Sequence, residues 1–177
     1  MDFNLSEEQT AIQDSLKRYL AKDYSFEQRR AILKSPLGHS AQAWATYAEL
    51  GILALPFPES AGGLGGNAID TMLIAETLGT SLALEPFLAS VVLSGSLIND
   101  IGTPAQRESL LGGISLGELL VSLAHGEPGA RYATNHVATT AKADGSGWSL
   151  SGHKAVVLGA PSANKLLVSA RTSGGAF

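Results

Sequence analysis

Residues 102–131 read GTPAQRESLLGGISLGELLVSLAHGEPGAR, and the character of the chain changes inside them. Thr103 followed by Pro104 opens a helix, with a capping hydroxyl and proline at the first helical position. From Glu118 the residues turn to β-formers at period two, and Leu119 to Ala124 is a first strand candidate. Helices run up to this point and strands follow it, without βαβ alternation. The pattern is α+β, a helical domain over residues 1–117 and a separate antiparallel β unit over 118–177.

Upstream, Ser6-Glu7-Glu8-Gln9 is a capping box, followed by Ile12, Leu16 and Leu20 on one helical face. Ser40 to Leu50 carries Trp44, Tyr47 and Leu50, with Gly51 as a left-handed stop. Ala68 to Leu78 is expected to end in the same way at Gly79, and Pro86 to Asp100 to end at Gly102. Between the second and third of these helices lies PFPESAGGLGG, residues 56–66. Two prolines and four glycines there make a long turn with positive backbone dihedrals.

Downstream, Val137 to Ala143, Trp148 to Leu158 and Leu166 to Ala170 are further strand candidates, with turns at 144–147 and 159–161. The sequence stops at 173–177, just after the fourth strand. A sheet ending there leaves an open apolar edge, so the β unit is expected to be truncated and its edge covered by other polypeptide.

Charged residues make up 16% of the 177 residues and hydrophobic ones 45%. Soluble domains average about 25% charged, so part of the surface is expected to be covered. The net charge of −4 gives no footprint for nucleic acid. Absence of cysteine excludes disulfides, thiolate nucleophiles and cysteine-held metals. The start, MDFNLSEEQ, lacks the basic then apolar pattern of a signal peptide. The most apolar stretch, Pro86 to Ile98, is too short to span a bilayer, so a cytoplasmic protein without membrane insertion is expected. His39, His125, His136 and His153 show neither i, i+4 pairing nor convergent carboxylates, and no metal site is expected. Gly113-Ile114-Ser115-Leu116-Gly117 matches a nucleophile elbow in letters only. That motif follows a strand and precedes a helix, whereas here a helix precedes and a strand follows.

Four segments together resemble the acyl-CoA dehydrogenase family: MDFNLSEEQ, WATYAELGILALPFPESAGGLGG, LLGGISLGELLVSLAHGEPGA, and LSGHK with VVLGAPSANKLLVSART. They stand in the family's order and cover nearly the whole chain. The resemblance implies an N-terminal helical domain and part of the middle β domain. The C-terminal helical bundle, with the family's catalytic glutamate, lies outside this sequence, so no catalytic residue is assigned. It also implies FAD as cofactor and an acyl-CoA thioester as substrate. The pattern is closest to the small subunits of heteromeric bacterial enzymes of the pimeloyl-CoA type. A second acyl-CoA dehydrogenase-like chain, or another copy of this one, is the implied partner, with a flavoprotein as a possible electron acceptor.

Laid on the family's flavin signature, Glu127 and Pro128 match. A threonine becomes Gly126, a glycine Arg131, a serine Tyr132 and an aspartate Ala133; in the later strand a tryptophan becomes Val156 and a threonine Leu158. The resemblance makes Leu123, His125, Gly126, Arg131, Tyr132, Val156, Val157 and Leu158 the cofactor-side residues. For His125, ligand contact and a hydrogen-bonded loop role both remain open. Arginine avoids the positive-φ conformations open to glycine, so the loop at Arg131 is expected to change shape and to aim its guanidinium at an anion. Tyr132, Val91 and Val92 are the implied acyl-side residues. Two functions compete: a flavin-binding enzyme component, and a structural subunit whose own flavin site is degenerate because Gly126, Val156 and Leu158 lack the ring-facing side chains.

Overall fold

The computed structural model describes residues 4–174; Met1 to Phe3 of the opening motif and residues 175–177 of the terminal stretch lie outside the described residues. Helix α1, Glu7–Asp23, starts at the expected box: Gln9 N–H donates to Ser6 Oγ at 3.1 Å and Gln9 Oε1 accepts from Ser6 N–H at 3.0 Å. Its Leu16 and Leu20 are buried and it packs on α4, Ala68–Thr80. Helix α3, Ala41–Glu49, inserts Trp44 and Tyr47 into the core and is followed by Gly51 at φ 75°. Tyr47 stands edge-on to Tyr19, ring centres 6.0 Å apart.

Three helical expectations need correction. Helix α2, Phe26–Leu33, is absent from the sequence reading, because it buries no residue and so has no apolar period. Its signal is local: Ser25 and Gln28 form a second capping box. Helix α4 runs through Gly79 to Thr80, and the left-handed residue beyond it is Leu82 at φ 50°. Arg29 Nε donates to the Leu82 carbonyl at 2.7 Å, tying that turn to α2. The expected Pro86 to Asp100 helix divides into a π-helix, Phe87–Gly95, and a short α5, Ser96–Ile101, capped by Gly102. Wide winding lets Ser94 Oγ donate to the Ala89 carbonyl five residues back, at 2.7 Å.

The glycine-rich turn behaves as expected, with Gly62 at φ 78° and Gly65 at φ 70°. Gly63 serves differently, because a Cβ there would collide with the Phe57 backbone. Helix α6, Pro104–Ser115, then leads to strand β1, Val121–Ala124. Val121 is fully buried among the helical core residues, and β1 packs against the π-helix through Ser90 Oγ, which accepts from Val121 N–H at 3.1 Å.

The fold class is α+β as the pattern predicts, but the strands pair differently. β1 pairs in parallel with β4, Lys165–Val168, Val121 facing Lys165 and Ala124 facing Val168. Among the described residues, only β2, Thr140–Asp144, and β3, Gly147–Ser151, form an antiparallel hairpin. A parallel bridge between Thr140 and Arg171 joins the two pairs. Period two reports which face is buried and is silent on strand direction. The third strand is shorter than expected, because residues 152–158 leave the ladder to run beside the loop after β1.

Candidate functional site beside the loop after strand β1

Residues 125–136 leave β1 as a loop bound at several points to residues 152–156 and to the end of β4. At its centre is Glu127, whose side chain is 4% exposed. Its Oε1 accepts from Lys154 Nζ at 2.8 Å, from Thr139 N at 2.9 Å and from Thr139 Oγ1 at 2.6 Å; Oε2 accepts from Ala138 N at 2.6 Å. His136 Nε2 lies 3.8 Å from Oε2. The Lys154 ammonium first, then Thr139 and the amides, holds the Glu127 carboxyl well below the usual carboxylate range. A carboxylate so engaged is a strut and a poor proton acceptor.

Lys154 Nζ also donates to Ser169 Oγ at 2.9 Å and to the His125 carbonyl at 3.1 Å. Ala155 N–H donates to the Gly126 carbonyl at 2.8 Å. These bonds lay 154–156 against 125–127, so the expected residues Gly126 and Val156 do come together. The approach at Gly126 is close, and a Cβ there would sit 3.3 Å from the Ala155 carbonyl oxygen. Val156 has φ 53° and is 91% exposed, a strained setting for a β-branched residue. Val157 is half-buried and Leu158 half-exposed on the same segment.

Arg131 corrects an expectation. It keeps φ 49°, so arginine has not driven the backbone out of the left-handed region. The tight turn decides the conformation: Ala130 N–H donates to the Glu127 carbonyl and Ala133 N–H to the Ala130 carbonyl, at 3.0 and 2.9 Å. The turn projects Tyr132, 98% exposed, and leaves Arg131 exposed. Leu123 lies within β1 opposite Leu167, as part of the scaffold. His125 uses both ring nitrogens, Nδ1 2.9 Å from Ser169 Oγ and Nε2 2.8 Å from the Thr134 carbonyl oxygen. Both ring nitrogens are thus engaged by groups of the protein.

The acyl-side expectation fits less well. Val91 is fully buried in the helical core and Val92 packs partly buried against it, so Val91 does not line an open cleft. Neither is brought to Tyr132 by the bonds that shape the loop. Ser115 ends α6 with its Oγ buried and without a hydrogen-bond partner, no arrangement for a nucleophile. Sequence reasoning missed Lys154, Thr139 and Ser169. Lys154 stands in the quoted LSGHK segment, but its partners are 15, 27 and 29 residues away and no spacing announces them.

Residues 6–118 match the family model described as "Acyl-CoA dehydrogenase, N-terminal domain". The chain belongs to the acyl-CoA dehydrogenase family. Acyl-CoA dehydrogenase FadE12 of Mycobacterium tuberculosis is 33% identical over 135 residues, which cover 76% of this chain and 35% of that protein. The ChsE4-ChsE5 complex from the same species is similar in structure, with TM-score 0.86 and 25% identity, over 99% of this chain and 47% of that one. The FAD complex of PigA superposes with TM-score 0.80 and 27% identity, over 98% of this chain and 46% of that one. The chain thus spans less than half the length of each of these proteins. Among the described residues no helix is long and apolar enough to cross a membrane.

Proposed function

We propose that the chain is part of, or a subunit of, a flavin-dependent acyl-CoA dehydrogenase, with residues 1–117 as its helical domain and 118–177 as part of its middle β domain. The observation that carries this is the loop 125–132 laid against 154–156, which presents Arg131, Tyr132 and Val156 outward on a backbone braced by Glu127 and Lys154. Bare side chains on a braced loop suit an occupant that is planar and partly apolar, with anionic groups. FAD fits that description: Val156, Leu158 and Tyr132 offer apolar and aromatic surface, and Arg131 offers a fork for a phosphate. Bound there, FAD would accept a hydride from the acyl β-carbon. The chain's own part is to bind and orient. His125 and Gly126 shape the loop, Leu123 and Val157 back it, and the exposed Tyr132 is offered to the acyl side. The α-proton acceptor belongs to polypeptide outside this sequence.

The reading extends to an acyl-CoA substrate, a second acyl-CoA dehydrogenase-like chain or another copy as partner, an electron-accepting flavoprotein, and a cytoplasmic setting. The complex named for the ChsE4-ChsE5 neighbour supports a heteromer. Titrating FAD into the purified chain, alone and with an added acyl-CoA dehydrogenase-like partner, tests it. Quenching of flavin fluorescence with saturation supports the reading, and no binding in either case sinks it. Binding only with the partner favours the second reading, a structural subunit, which Gly126 in place of a hydroxyl-bearing residue also supports.

A further inference from the structure

The three protons of Lys154 Nζ are all committed, to Glu127 Oε1, Ser169 Oγ and the His125 carbonyl. Ser169 Oγ accepts from that ammonium, so its single proton is free for its other neighbour, His125 Nδ1 at 2.9 Å. On the far side of the ring, Nε2 lies 2.8 Å from the Thr134 carbonyl oxygen, which can only accept. Nε2 therefore carries a proton and Nδ1 receives one from serine. A proton on Nδ1 as well would leave the serine hydroxyl proton without a partner and set two cations on one oxygen.

We propose that Lys154 and Ser169 are positioning residues that lock His125 in its Nε2–H tautomer, and that the locked ring staples the loop shut. The staple joins His125 to Thr134, the two ends of the segment that carries Gly126, Arg131 and Tyr132. Hydrogen-bond polarity runs one way, from ammonium to hydroxyl to imidazole to carbonyl. The ring could span the same gap as the Nδ1–H tautomer, but Nε2 would then face a carbonyl with a lone pair and the loop would open. Relevance to cofactor binding rests on the flavin reading above; the tautomer lock does not.

The test is nitrogen NMR of the full chain with 15N-labelled histidine, on the parent, Ser169→Ala and Lys154→Met. In the parent, His125 should show a bare Nδ1 and a protonated Nε2. Ser169→Ala keeps the Glu127–Lys154 pair, and therefore the fold, but removes the donor to Nδ1. Only the Thr134 carbonyl then selects the tautomer, so Nδ1–H should become populated beside a still favoured Nε2–H, with amide shifts spreading over 126–134. Its FAD affinity should fall about fivefold, the worth of one neutral hydrogen bond. An Nδ1–H tautomer in the parent, or an unchanged tautomer in Ser169→Ala, overturns the lock. Lys154→Met should repeat the Ser169→Ala signature if it folds, and Ser169→Ala decides the matter if it does not. A parent that shows the lock yet binds no FAD overturns the flavin reading alone.

Discussion

Lys154 Nζ sits 2.8 Å from Glu127 Oε1, with the two side chains 9% and 4% exposed. A pair taken this far out of water is costly to break, because removing one partner strands the other charge. It joins the loop after β1 to the segment after β3, which no strand ladder connects.

This pair sets an acid limit. Folded, the Glu127 carboxyl ionises well below its usual range; unfolded, it titrates at about 4.3. Between those values the unfolded chain holds the extra proton, so stability falls as pH falls. The contribution is complete above about pH 4.3 and is lost progressively toward the depressed value. Glu127→Gln should be less stable than the parent at neutral pH and show a flatter loss of stability on acidification. Urea midpoints measured from about pH 6 down to about pH 3 check this. Parallel curves for the two proteins would refute it.

Two glycines separate what the sequence disclosed from what it hid. Gly79 has the look of a helix stop, yet it lies inside α4, and a Cβ added there would meet nothing within 4 Å. Gly79→Ala should therefore stabilise by about 0.5–1 kcal/mol. Gly63 lies outside the left-handed region, but a Cβ would strike the Phe57 backbone, so Gly63→Ala should cost about 1–3 kcal/mol. Thermal melts of both variants give the signs directly.

The helical half was legible because its caps and apolar periods are local. Ser6, Ser40, Asn67 and Thr103 all cap as side chains at the starts of helices. The β half was legible only in composition. Parallel pairing of β1 with β4, and the meeting of Glu127 with Lys154, join residues 27 to 44 positions apart and leave no periodic trace. Loop residues such as Arg131 and Tyr132 were found through family resemblance, and the left-handed turn that displays them was not.

Glu85 is buried and accepts from Tyr24 Oη and Tyr47 Oη, each at 3.2 Å, and from Ser40 N–H at 3.0 Å. Burial first, with the Glu85 charge adding to it, pushes both phenols above their usual range. Unfolded phenols ionise at about pH 10, so the stabilisation is whole below that pH and declines above it. Tyrosinate absorbance should show Tyr24 and Tyr47 ionising only as the chain unfolds. Tyr24→Phe also leaves Leu84 N–H without its acceptor and should cost about 1.5–3 kcal/mol. A smaller loss would mean that water replaces the hydroxyl.

Trp148 and Leu150 share one face of β3, opposite Ala143 and Ala141 of β2, and both large side chains are at least half exposed. A two-stranded hairpin with an uncovered apolar face is marginal alone. If a second chain covers it, Trp148 emission should shift to the blue on mixing, while Trp44, already 3% exposed, stays constant. A Trp148→Phe control that keeps the whole shift would assign it elsewhere.

Arg131 holds φ 49° within the turn that shows Tyr132 to solvent. For a residue with a Cβ this backbone region costs about 1–2 kcal/mol. Glycine removes that strain but also loses the guanidinium, so the two effects of Arg131→Gly can be read separately. Stability should rise by roughly 1 kcal/mol, after the entropy that glycine returns to the unfolded chain. Affinity for FAD or acyl-CoA should fall about tenfold or more, the loss of one charge-assisted contact. Arg131→Ala should lose the same affinity without the gain in stability, because alanine keeps the Cβ. Should both variants bind as the parent does, the arginine is a solvated turn residue. Should Arg131→Gly bind less tightly but melt no higher, the strain is absent and the charge alone accounts for its role.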